Sequence, residues 1–210
     1  MTLYSYWRST AAYRVRLALN LKGLEYRTVA VNLAGENPDH REPEYAARNP
    51  QMLVPFLEDG ELGIAQSQAI VEYLDETYAE PKLLPEDPGT RASVRAFAAA
   101  IACDIHPLNN LRVLNYLKGP LAQDGGAVQQ WYAHWIHEAF AALEQTCSTG
   151  PYVFGDTLTA ADVFLVPQMY NARRFDVDVA PFPKLVAVDT HCLTLPAFQA
   201  ALPEAQPDAG

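Results

Sequence analysis

Three stretches of this 210-residue sequence put reactive or recognising side chains where a strand hands over to a helix or meets a proline. The first is Trp7-Arg8-Ser9-Thr10. A strand end that opens onto a helix N-terminus presents unpaired N–H groups and the positive end of the helix dipole, and a hydroxyl there can donate to an anion such as a thiolate. Ser9 and Thr10 are the candidates, and either would equally serve as a plain N-cap. The second is Gln51-Met52-Leu53-Val54-Pro55. A proline that opens a central strand is tolerated when its peptide bond is cis, and the preceding residue then turns its N–H and C=O outward to pair with a peptide. An edge-strand proline without a role is the alternative. The third is Gln66-Ser67, where an amide, a hydroxyl and a helix start together suit a carboxylate; a cap alone is again the simpler reading.

The elements that must position these groups follow from the local patterns. Leu3–Tyr6 predicts a strand, Thr10–Lys22 a helix stopped by Gly23, and Tyr26–Val31 a second strand, parallel to the first. A short helix is expected at Glu42–Ala47, a third strand at Val54–Leu57, a turn at Glu58-Asp59-Gly60 and a fourth strand at Leu62–Ala65. Ser67 is the expected cap of the helix carrying Ile70, Val71 and Leu74. The order βαβ then ββα is the thioredoxin-like arrangement. Residues 80–88, with Pro81, Pro85 and Pro88, predict a linker between a domain at 1–79 and a second at 89–210. Beyond the linker, helices are expected up to a break at Pro107, over Val128–Leu143, behind a capping box at Thr159 and Asp162, and at Lys184–Leu193 and Ala197–Leu202. This second domain is all-helical, and the tail Pro203–Gly210 has nothing to bury.

Composition narrows the function classes. With 15 Lys and Arg against 25 Asp and Glu, the net charge of −10 argues against a nucleic-acid partner. Half the residues are hydrophobic and 19% are charged, which excludes a disordered chain. No apolar run reaches the roughly 18 residues of a membrane span, and Arg8, Arg14 and Arg16 interrupt any signal-peptide pattern. Three cysteines without a CxxC pair argue against a disulfide scaffold, a zinc site or a dithiol centre; a cytoplasmic protein without a metal is expected.

The order and spacing of the three stretches, followed by a proline-rich linker and helices, resemble the cytosolic glutathione transferases. The motifs Tyr6-Trp7-Arg8-Ser9, Arg14-Val15-Arg16-Leu17, Asn49-Pro50-Gln51, Gln66-Ser67-Gln68-Ala69-Ile70 and Leu165-Val166-Pro167-Gln168 are similar to those of the zeta class, as are Asn171–Phe175 and Gln206-Pro207-Asp208. The similarity runs from end to end, and Cys103–Arg112 resembles the bacterial maleylpyruvate branch of the class. The resemblance implies a thioredoxin-like α/β N-terminal domain plus an all-α C-terminal domain, glutathione as cofactor and a homodimer. It implies a glutathione-dependent cis–trans isomerisation of a small cis-enone diacid, maleylpyruvate or maleylacetoacetate, in which reversible thiolate addition lets the double bond rotate. A general transferase that conjugates or dehalogenates small electrophilic acids is the alternative, and a non-catalytic glutathione-binding module the less favoured one.

The same resemblance implies roles for single residues. Ser9 or Thr10 would meet the glutathione sulfur; Gln51, Val54, Pro55, Gln66 and Ser67 would hold the peptide, and His40 its glycine end. His106, Asn109 and Asn110 would lie near glutathione or substrate, with His106 and Asn110 on one helical face. Asp104 would reach the partner subunit's glutathione. Arg8, Arg112 and Arg174 would clamp the diacid, since the planar guanidinium fork suits carboxylates. One departure stands out: Ser9-Thr10-Ala11-Ala12 replaces the usual Ser-Ser-Cys-Ser, so a mechanism that needs the cysteine does not apply.

Overall fold

The strand over Thr2–Ser5 (β1) buries Leu3, Tyr4 and Ser5, and it sits at the centre of the sheet that carries the first two candidate stretches. A computed structural model describes residues 1–35, 37–78 and 80–209. Two compact units divide the chain: Met1–Leu83 together with Thr194–Gly210, and Leu84–Leu193. The segment after Thr194 therefore belongs with the N-terminal unit, whereas the sequence placed it in the helical one.

In the first unit β1 lies between β2 (Arg27–Ala30) and β3 (Phe56–Asp59), with β4 (Leu62–Ala65) at the far edge. The β1–β2 pair is parallel and the other two are antiparallel, as the βαβ–ββ order requires. Between β1 and β2 runs α1 (Thr10–Leu21), and α3 (Ser67–Thr77) follows β4; the two helices pack together. The short α2 (Pro43–Arg48) supplies Tyr45 to a cluster with Tyr4, Val31, Val54 and Phe56. At the end of α1 the buried Lys22 ammonium meets the Asp75 carboxylate of α3 at 3.0 Å and donates to the carbonyls of Tyr78 and Pro81.

Several boundaries differ from the sequence reading. The third strand starts at Phe56, because Pro55 has no N–H to give the ladder and pairing begins at Tyr4–Phe56. Glu58 and Asp59 stay in that strand, and Gly60-Glu61 makes the turn with Gly60 at φ +60°. The α3 cap is Gln66 at φ +71°, not Ser67, which is the first helical residue.

The second unit is helical: α4 (Pro88–Ala99), a π-helical turn (Ala100–Ile105), α5 (Leu111–Lys118), α6 (Gly125–Thr146), α7 (Ala160–Arg174) and α8 (Pro183–Cys192). The expected linker is shorter than read, since Asp87 caps α4 and Leu83 and Leu84 are buried. Sequence reading missed α5, which begins only four residues beyond the proline it treated as a break. No helix among the described residues is long and apolar enough to cross a membrane.

After α8 the chain returns to the first unit as α9 (Pro196–Ala201), which packs on α1. The tail beyond it does bury groups, contrary to expectation. Pro203 and Gln206 are buried, and the Gln206 amide donates to the carbonyls of Ala200 and Leu202 at 3.0 and 2.8 Å.

The capping box of α7 is present in full, and Asp162 does more than cap. Its carboxylate accepts from the backbone N–H groups of Thr159 and Val153, both at 2.8 Å, so it pins the loop ahead of the helix. Burial pushes the Asp162 carboxyl up to about 6, against the pull of those donors. Asp162→Ala leaves two buried N–H groups unpaired and should cost about 2–5 kcal/mol in urea unfolding. The native pKa lies above the ordinary carboxylate value of 3.8, so the native state binds more protons between the two values. The contribution of Asp162 is full below that lower value and declines as pH rises through about 6, so the gap between wild type and variant should narrow on going from acidic to neutral pH.

Candidate functional site

Ser9 caps α1: its Oγ accepts from the Ala12 N–H at 3.2 Å, which leaves its own proton to donate elsewhere. Thr10, one residue on, is 4% exposed, so the half-buried Ser9 is the more accessible of the two hydroxyls. The turn that carries it is closed by a 2.9 Å bond from the Ser9 N–H to the Tyr6 carbonyl. Arg8 is exposed, with its guanidinium 4.0 Å above the Trp7 ring.

Beneath this turn lies Arg16, fully buried. Its guanidinium donates to Ser5 Oγ at 3.2 Å, to the Trp7 carbonyl at 3.1 Å and to the Ala201 carbonyl of α9 at 3.1 Å. Arg14, two residues closer to the helix start and also buried, donates to Ser67 Oγ at 3.2 Å. That contact brings the N-terminus of α3 against the first turns of α1. Sequence reading quoted Arg14 and Arg16 as part of a motif but gave neither a task. Their signal was there: two arginines inside an otherwise largely apolar helix need buried acceptors.

The segment before β3 is built by its neighbours. Asn49 Nδ2 and Tyr45 Oη both donate to the Leu53 carbonyl, at 2.8 and 2.7 Å, and the Gln51 N–H donates to Asn49 Oδ1. The Val54–Pro55 peptide is cis, as expected, and Val54 stands outside the strand ladder. The Gln51 and Gln66 side chains meet at 2.6 Å. No side chain caps α3 at its N-terminus beside Gln66, while Ser67 is 6% exposed and its Oγ accepts from Arg14. His40 sits in a 3₁₀ turn, its Nδ1 3.4 Å from the Asn32 carbonyl just past β2. One unit therefore gathers Ser9, Gln51, Val54, Pro55, Gln66, Ser67 and His40 around β1, α1 and α3. An extended peptide with a carboxylate at one end suits these groups.

In the second unit the expected residues divide. His106 ends the π-helical turn while Asn110 caps α5 by accepting from the Arg112 N–H, so the two do not share a helical face; the chain turns between them at Pro107. Asn109 is buried, and its Nδ2 donates to the Tyr132 carbonyl of α6 at 3.1 Å, which makes it part of this unit's interior rather than of an open surface. Asp104 is exposed on the π-helical turn. Arg174 is exposed at the end of α7 with its guanidinium 5.0 Å from the Phe175 ring, and Phe175 stacks on Tyr132 at 4.1 Å. Asn171 donates to the Tyr132 hydroxyl, a link sequence reading did not find. Arg173, the neighbour of Arg174, pairs instead with the buried Asp189 at 2.6 Å.

Two of the three cysteines are buried, while Cys103 is exposed. Burial raises Cys147 to about 11 and pushes Cys192 up further, so neither forms a thiolate near neutral pH. Among the described residues no cluster of His, Cys, Asp or Glu could hold a metal ion.

Comparison with known proteins fits this geometry. Residues 1–76 match the glutathione S-transferase N-terminal domain and residues 125–188 the glutathione S-transferase C-terminal domain. The chain is 49% identical over 211 residues to a probable maleylacetoacetate isomerase of Vibrio cholerae, covering 100% of this chain and 98% of the relative. A holo structure of a maleyl pyruvate isomerase, described as a bacterial glutathione S-transferase in zeta class, is 47% identical with a TM-score of 0.96 and full coverage of both chains. A maleylacetoacetate isomerase from Methylobacterium extorquens AM1, solved with bound malonate and GSH, is 36% identical with a TM-score of 0.94, again with full coverage of both. With both domains matched in order and identity near one half sustained along the whole chain, this protein belongs to the glutathione S-transferase family, in the zeta class of maleylacetoacetate and maleylpyruvate isomerases.

Proposed function

We propose that the protein is a glutathione-dependent cis–trans isomerase of a small cis-enone diacid, maleylpyruvate or maleylacetoacetate. The observation that carries this reading is the full-length likeness, 47–49% identical, to maleylacetoacetate and maleylpyruvate isomerases, and the arginines are consistent with it. Arg14 and Arg16 are buried and bonded within the fold and Arg173 is paired, whereas Arg8, Arg112 and Arg174 are exposed and pair with no carboxylate among the described residues. A chain of net charge −10 repels a diacid at long range, so short-range bidentate contacts must supply the attraction. Malonate and GSH, both bound in the relative from Methylobacterium extorquens AM1, support a site for small diacids.

The first unit fits glutathione. The uncapped start of α3 with Gln66 and Ser67 would hold the γ-glutamyl carboxylate, with Gln51 beside them. The Val54 backbone beside Pro55 would pair with the cysteinyl unit, and His40 would serve the glycine end. Bound glutathione supplies a thiolate, whose reversible addition turns a C=C bond into a single bond that can rotate. Ser9 donates its free proton to the sulfur, and the α1 dipole favours the anion, lowering a thiol pKa that is about 8.5 in water. The arginines hold the substrate carboxylates and the charge that develops on its oxygen. Asp104, His106 and Asn110 stay candidates for contacts to glutathione or to a partner subunit's site in a homodimer, and a cytoplasmic setting accords with three unpaired cysteines.

The direct test mixes the protein with a cis diacid and far less glutathione than substrate. Many turnovers of trans product without thiol loss are expected; stoichiometric thiol loss would replace the isomerase by a conjugating transferase. Arg174→Ala should lower kcat/KM by about 30- to 1000-fold while glutathione affinity, measured by calorimetry, stays unchanged. Arg173→Ala should do the opposite: it leaves Asp189 buried without its cation, costing roughly 1–3 kcal/mol of stability, and spares turnover. Ser9→Ala should raise the pKa of the bound thiol, read from the ultraviolet absorbance of the thiolate across pH.

A further inference from the structure

We propose that the C-terminal tail is a working part of the site, with Asp208 as a positioning residue that acts through Trp7. The Trp7 N–H donates to Asp208 Oδ2 at 3.0 Å across 201 residues of sequence. The Trp7 carbonyl is held from the other side by Arg16 at 3.1 Å. Both backbone groups of Trp7 are thus fixed from outside the turn, one by the tail and one by α1. The next two residues are the ones the proposed reaction uses: Arg8, stacked on the Trp7 ring at 4.0 Å, and Ser9, whose N–H closes the turn onto Tyr6.

The tail is itself anchored for this purpose. Arg16 reaches α9 at the Ala201 carbonyl, Gln206 ties the chain back to Ala200 and Leu202, and the Ala209 N–H bonds to the Gln206 carbonyl at 3.0 Å. One guanidinium therefore touches both the turn and the helix from which the tail departs. The other oxygen of Asp208, Oδ1, is buried and has no hydrogen-bond partner among the described residues. A carboxylate with an unpaired buried oxygen is a poor choice for stability alone. It is a good choice where one amide must be held by a strong, charge-assisted acceptor.

The inference rests on the isomerase reading for its catalytic consequence, but not for its structural one. Asp208→Ala should speed amide exchange of Trp7 about 10-fold, the loss of one hydrogen bond. With glutathione saturating, kcat for the cis diacid should fall about 10- to 100-fold through misplacement of Arg8 and Ser9, while glutathione affinity falls only a few-fold because the α3 groups are untouched. Asp208→Asn keeps a neutral acceptor for Trp7 and should recover exchange protection and turnover to values between those of Asp208→Ala and the wild type. Unchanged exchange in Asp208→Ala, an Asn variant that behaves like Ala, or a kcat loss that Arg173→Ala reproduces at equal destabilisation would each overturn the proposal. A wild-type protein that turns over no cis diacid would sink the isomerase reading instead, and the exchange comparison would still decide whether Asp208 holds the turn.

Discussion

A guanidinium taken wholly out of water must find acceptors for its donors, and the carbonyls and hydroxyl that Arg16 finds are those of the strand end, the site turn and the last helix. That requirement couples three segments far apart in sequence. The β1 end at Ser5, the Trp7 turn and α9 at Ala201 keep their relative places because displacing any of them strands a buried charge. Arg14 repeats the device two residues earlier, on the other side of α1, joining it to the start of α3 through Ser67. The first unit therefore places the Ser9 hydroxyl and the Gln66–Ser67 group with two buried cations on one helix.

Charge is distributed with the same economy. Cations near the fold's interior are committed: Lys22 to Asp75, Arg16 to carbonyls, Arg173 to Asp189. Arg8 and Arg174 are held over aromatic rings, contacts that fix a guanidinium's direction without neutralising it. A cation kept oriented but unpaired can still receive a carboxylate with two parallel hydrogen bonds. Proteins of strongly negative net charge gain selectivity from this arrangement, because a diacid is attracted only where such a group is close. The helical unit contributes its share by stacking Phe175 on Tyr132 and bracing Tyr132 from Asn109 and Asn171, which stiffens the end of α7 where Arg174 emerges.

Local chemistry was enough to determine much of this from the sequence. Strand–turn–helix junctions announced themselves by residue type, the cis proline by its place at a strand start, and the α7 capping box by spacing alone. These features depend on neighbours within a few residues, so a linear reading finds them. Tertiary structure decided the rest, since it depended on partners distant in sequence. That Ser9 is more accessible than Thr10 follows from which hydroxyl α1 buries, and the separation of His106 from Asn110 from how the chain turns at Pro107. The sorting of like-looking arginines into struts and free guanidiniums needed their acceptors in view, and so did the tail, whose polar residues read as solvent-exposed until Asp208 met Trp7. A hydrogen bond between residues 7 and 208 leaves no mark on either stretch by itself.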